Sequence, residues 1–159
     1  MIVNPSFPSG FVVFCDDVRQ ELTGKVTMVG VYTGQMVFTG SLPVTLPQIC
    51  AVTTFRLAPP AEQIKPIIRI FQSGRDESLF EMEVEIAAAQ PSDFPAQVEQ
   101  DPDAVKFLQM IITAQLQGLV ITEPCTLKVR AFVGDDEIRL GALQILVVPL
   151  ETTEADSTG

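Results

Sequence analysis

Two knots of carboxylates are the densest groups of reactive side chains in this sequence. Asp16, Asp17 and Glu21 follow the apolar run FVVFC, and Asp135, Asp136 and Glu137 follow Gly134 at a turn. A hard cation such as Ca²⁺ needs several oxygens converging from loops. These residues are therefore the candidate metal ligands, at one end of a β-fold. The competing reading is turn chemistry and ion pairing, with Arg19 and Lys25 close enough to neutralise the first knot. That reading is preferred, with no metal. It makes Asp16, Asp17, Arg19, Glu21 and Lys25 a structural corner. Arg19 is expected to pair with Asp16, Asp17, Glu21 or an acid from another strand, and its loss to cost stability.

Other chemistry is thinly supplied. The chain has no histidine, which removes the commonest general base and neutral metal ligand. Cys15 as a nucleophile would need a neighbouring cation or imidazole to form a thiolate, and its neighbours are acids. Cys15, Cys50 and Cys125 are far apart, form no CxxC and lie in or beside apolar runs. They read as buried free thiols, with one long-range disulfide left open. Glu81, Glu83 and Glu85 alternate with apolar residues, as a solvated sheet face does. No glycine-rich phosphate loop occurs. No catalytic residue and no cofactor are expected, and the chain is read as non-enzymatic.

The elements that must position these residues are strands. Of 159 residues, 47% are hydrophobic, and the 12 prolines and 10 glycines punctuate apolar runs rather than forming a block. Strands are expected at 11–15, 25–32 with a bulge at Gly30, 49–57, 64–71, 77–86, 126–133 and 137–148, with a bulge at Gly141. Residues 36–38 are a short edge strand. Residues 18–22 read as one helical turn, and Pro66 suggests an edge position for 64–71. Residues 105–116 alternate at period two and read as a strand rather than a helix, with Gly118 and Pro124 bracketing a crossing segment. The expected fold is all-β: an antiparallel β-sandwich with Greek-key connections, seven or eight strands and one long loop around 87–104. A closed barrel is the second choice. Residues 1–10 form an N-terminal arm, 11–150 the single domain and 151–159 a disordered acidic tail.

The formal net charge of −10 comes from 20 acidic and 10 basic residues without a basic run. Nucleic acid is not an expected partner, and neither is an anionic membrane surface. The uncharged apolar stretch 107–122 is too short to span a bilayer. Cytoplasmic synthesis without export is expected, as no targeting segment is visible.

The residues 14–19, Phe-Cys-Asp-Asp-Val-Arg, then Glu21, Gly24-Lys25 and Gly30-Val31-Tyr32, resemble the N-terminal signature of a small uncharacterised family from bacteria and their phages. Leu46-Pro47 before the third strand is similar too. The resemblance implies a β-sandwich and supplies no catalytic residues. It makes a virion-associated role, such as a capsid or tail accessory protein, one expectation. The function expected is a protein-interaction or structural module with a protein partner or a homo-oligomer. The alternative is a cytosolic small-ligand or Ca²⁺-binding regulatory domain using the acidic turns.

Overall fold

The computed structural model describes residues 6–96, 101 and 103–150. Ten strands account for nearly all regular structure there: β1 (Ser9–Cys15), β2 (Asp17–Gln20), β3 (Val26–Val29), β4 (Gln35–Thr39), β5 (Val44–Leu57), β6 (Ile67–Gln72), β7 (Ser78–Glu83), β8 (Leu108–Ile121), β9 (Cys125–Val133) and β10 (Asp136–Val148). A single 3-10 turn, Pro91–Asp93, interrupts the 87–104 connection; residues 97–100 and 102 of that expected loop, 1–5 of the arm and the 151–159 tail lie outside the described residues. No helix among the described residues is long and apolar enough to cross a membrane.

Five strands form one sheet in the order β4-β10-β9-β6-β7, and three form another in the order β1-β5-β8. Their inner faces make an all-β sandwich. Ile68 and Ile70 of β6, Leu127, Val129 and Ala131 of β9, and Leu143 and Ile145 of β10 meet Ile49, Ala51, Phe55 and Leu57 of β5 and Ile112, Ala114 and Ile121 of β8. These are the period-two apolar positions of each strand, and burying them supplies the main driving force for the fold. Pairing is antiparallel except between β4 and β10, which run parallel.

Several expectations needed correction. The strand count is ten rather than seven or eight, and β2 at Asp17–Gln20 is a strand the sequence pattern did not offer. Residues 18–22 are not helical. Val18 pairs with Met28 across a hairpin and packs on the cluster of Cys15, Cys50 and Val52. Strand β5 begins at Val44, well before Ile49, and passes through Pro47. Gly118 lies inside β8 rather than closing it, because the register that joins Leu46 to Leu119 and Gln48 to Gln117 sets Pro47 opposite Gly118. Pro66 does not mark an edge, since β6 lies between β7 and β9. The proline precedes the strand, where its carbonyl accepts the Val84 N–H at 2.9 Å. Residues 105–116 do contain a strand, and all three cysteines are free.

Strand β1 closes the seam between the sheets. It pairs with β5 along its whole length, and its inward Val12 lies over β10 where the β9–β10 register shifts between Arg139 and Gly141. A Cβ placed on Gly141 would come within 2.7 Å of Val12 Cγ1, and the residue holds φ at +148°. Backbone and side chain both require glycine here. Gly141→Ala is expected to lower unfolding free energy by about 1–3 kcal/mol, measurable by urea denaturation. An unchanged midpoint would show that the seam has room to give.

Candidate functional site

The corner between β1 and β2 is built from the 14–32 segment. Strand β1 ends at Cys15, opposite Cys50 of β5. The chain then leaves the sandwich and pairs only with itself, β2 against β3, with Asp17 opposite Val29 and Gln20 opposite Val26. At the ribbon's far end the Glu21 N–H donates to the Lys25 carbonyl at 2.9 Å, and the Gly24 N–H donates to the Glu21 carbonyl at 3.0 Å. The Thr27 hydroxyl donates to the Glu21 carboxylate. Both Glu21 and Lys25 thus belong to the turn.

At the ribbon's root, Asp16 binds three chain segments together. Its N–H donates to the Val29 carbonyl at 2.9 Å, and the Tyr32 N–H donates to the Phe14 carbonyl at 2.9 Å. The Tyr32 hydroxyl donates to the Asp16 carboxylate. From β5, Gln48 Nε2 donates to the Asp16 carbonyl at 3.0 Å and to Asp17 Oδ1 at 3.3 Å. Gln48 Oε1 in turn accepts from Gln115 Nε2 of β8 at 2.6 Å. Gly30 makes room for this. Its φ is +67°, and a Cβ there would come within 2.0 Å of Asp16 Oδ2.

Arg19 pairs with Asp17, at 3.3 Å, but its side chain is 70% exposed and that of Asp17 is 41% exposed. A pair this wet contributes about 0–1 kcal/mol. The residues that tie the root to the rest of the chain are Tyr32 and Gln48, neither of which was assigned to the corner from the sequence. Tyr32 could have been found from the pattern, as the residue that ends the Gly-Val-Tyr step. Gln48 carried no sequence signal.

The second acidic knot is elsewhere. Asp135 lies in the β9–β10 turn, and Asp136 and Glu137 begin β10. Glu137 pairs with Arg130 at 3.1 Å. The Tyr32 corner lies by the other half of β10, where the Gln144 N–H donates to the Gly34 carbonyl at 3.0 Å. Eight strand residues, roughly 26 Å, separate Gln144 from Asp136. The structure does not bring the two knots together. Among the described residues, no three His, Cys, Asp or Glu side chains are grouped to hold a metal ion. Glu81, Glu83 and Glu85 are answered by Arg69 at 2.6 Å and by Lys65 at 3.7 Å to each of the latter two.

The thiols are poorly placed for nucleophilic work. Burial pushes Cys15 up to about 11, with the adjacent Cys50, Asp16 and Asp17 adding to the effect. Burial also raises Cys50 and Cys125. A hollow of about 460 Å³ between β7 and β8 is lined by Leu79, Phe80, Leu116 and Leu119, with Arg75 as its charged group. It offers no carboxylate or thiol for acid–base or covalent chemistry.

The fold and corner define an all-β sandwich carrying a self-paired ribbon on an aspartate–tyrosine root. The chain belongs to a family of unknown function, DUF6941, whose family model matches residues 10–147. That span takes in both sheets and the ribbon. No curated protein matches the chain.

Burial, reinforced by the hydrogen bond to the Asp16 carboxylate, pushes Tyr32 from 10.0 up to about 12. Cys15 moves from 9.0 to about 11. Both groups hold their protons more tightly in the folded chain. They therefore add stability that is complete below about pH 9 and is lost as pH rises through about 11 and 12. Tyr32 is the sole tyrosine in a chain without tryptophan, so tyrosinate absorbance reports this root alone. Its midpoint is expected near 12 in the native protein and to drop in Asp16→Asn. A native midpoint at the ordinary value would mean that the root is open.

Proposed function

We propose that the protein is a non-enzymatic β-sandwich that works by binding another protein through the β2–β3 ribbon. The observation that carries this reading is the ribbon's surface. All four residues of β3 are exposed. Leu22 at the turn is fully exposed, and Val26, Met28, Val29 and Val31 are between 36% and 50% exposed. A two-stranded ribbon is marginal in water unless something holds it. Here a hydrogen-bonded root holds it out while its apolar side chains stay uncovered. Apolar surface kept exposed in this way is characteristic of a contact surface.

The partner chemistry follows from the setting. The ribbon sets Asp17 and Glu21 beside Arg19 and Lys25 around its apolar residues, on a chain of net charge −10. A partner with an apolar groove, a rim that offers both signs of charge and an overall basic surface fits both features. The resemblance of the 14–32 signature to proteins of bacteria and their phages supports a virion-associated setting, in which a small sandwich docks on a capsid or tail component.

A Leu22→Asp, Val31→Asp double variant tests this reading. Its thermal midpoint should match the parent, because neither side chain is buried. The parent should self-associate at high concentration in sedimentation velocity, or travel with the particle fraction of the producing culture, and the variant should do neither. A parent that stays monomeric and is absent from particles would overturn the proposal. So would a variant that associates as well as the parent.

A further inference from the structure

The outer face of the five-stranded sheet has a different character from the rest of the molecule. Its register stacks side chains into rows that cross the strands. Arg69 of β6 lies opposite Arg130 of β9, and Arg130 lies opposite Arg139 of β10. One row is thus Glu81, Arg69, Arg130 and Arg139, running across four adjacent strands. In the next row, Phe71 lies opposite Lys128. Six of the chain's ten cations lie on this sheet or on the segments leading into and out of β6: Lys65, Arg69, Arg75, Lys128, Arg130 and Arg139.

Like charges directly opposite one another on neighbouring strands destabilise a sheet. Some of this repulsion is answered within the protein. Arg69 pairs with Glu81 at 2.6 Å and lies over the Phe132 ring at 5.1 Å. Arg130 pairs with Glu137 at 3.1 Å and donates from Nη1 to the Val129 carbonyl at 2.9 Å. Arg75, Lys128 and Arg139 make no ion pair among the described residues, in a chain with twice as many acids as bases. Arg75 and Lys128 share a hollow of about 330 Å³ with Arg130, Phe71, Ser73 and Glu137. Its lining holds three cations against one carboxylate. The Arg130 side chain is only 15% exposed, so its guanidinium is fixed in place before any ligand arrives.

We propose that this hollow binds the oxyanion of a small molecule, a carboxylate or phosphate group carried on a flat or apolar body. Arg130, held by Glu137 at Nε and by the Val129 carbonyl at Nη1, keeps Nη2 to donate to a ligand oxygen. Lys128 and Arg75 add mobile positive charge from the strand floor and the β6–β7 turn. Phe71, opposite Lys128, supplies the wall against which the ligand body lies. The size suits a small metabolite rather than a polymer. This site is on a different surface from the ribbon and does not depend on the protein-binding reading.

The test is titration calorimetry at low salt with inorganic phosphate, phenyl phosphate and benzoate, on the full chain. Phenyl phosphate is expected to bind at least about tenfold more tightly than inorganic phosphate, reflecting the ring on Phe71. Benzoate against phenyl phosphate decides which oxyanion is preferred. An Arg75→Ala, Lys128→Ala double variant should lose at least about tenfold in affinity while melting near the parent temperature, because neither side chain makes an ion pair among the described residues. Phe71→Leu should weaken phenyl phosphate and leave inorganic phosphate unchanged. Absence of heat with all three probes, or binding that the double variant leaves intact, would overturn the proposal.

Discussion

The hydrogen bond from Tyr32 to Asp16 is the contact on which the arrangement of the signature segment depends. It closes a ring of chain that leaves the sandwich at Cys15 and returns at Tyr32. Within that ring the ribbon's strands pair only with each other, with Val18 packed on Cys15, Cys50 and Val52. Gln48 extends the contact into β5 and, through Gln115, into β8. The root is therefore tied to the three-stranded sheet by side-chain amides rather than by apolar packing alone. Asp16 and Gln115 are exposed and Tyr32 and Gln48 half-buried, so the network acts by fixing the geometry of the root rather than through burial of its polar groups. Removing one member would loosen the root where it meets the buried cluster of Cys15, Cys50 and Val52.

This contact gives the acidic signature a physical role. Asp16 acts as an acceptor and Asp17 as a local one, accepting the Val18 N–H at 2.9 Å. Glu21 fastens the turn. Their concentration in sequence reflects a chain that must leave a sheet, turn and return within a few residues. The two outer surfaces of the sandwich differ as a result. The three-stranded side carries the ribbon and leaves Phe11 and Ile111 exposed. The five-stranded side carries the row of arginines, with phenylalanines on either side.

Much of the fold was legible in the sequence because burial imposes a period of two. Thr126 to Val133 and Glu137 to Val148 show it, and so does the alternation that makes 105–116 a strand. The bulge at Gly141 was legible from the change of apolar phase between Leu140 and Leu143. What escaped were contacts between residues distant in sequence. Gln48 is an unremarkable polar residue until β5 brings it beside Asp16. Arg69, Arg130 and Arg139 form no run in the chain, and only the register aligns them. The helical turn expected at 18–22 failed for the same reason: Asp17 starts β2 instead of capping a turn, and Val18 pairs with Met28. Arg19 does pair with Asp17 as its place in the sequence suggested, but proximity in sequence says nothing of exposure, and the pair is exposed.

The most direct measurement is a double-mutant cycle of Asp16→Asn and Tyr32→Phe, read by equilibrium unfolding and by amide hydrogen exchange. The account predicts a coupling energy above about 0.5 kcal/mol. It also predicts that either single change speeds exchange at the β2–β3 amides while β5, β9 and β10 remain protected. Additive effects, with the ribbon amides as protected in the double variant as in the parent, would contradict it.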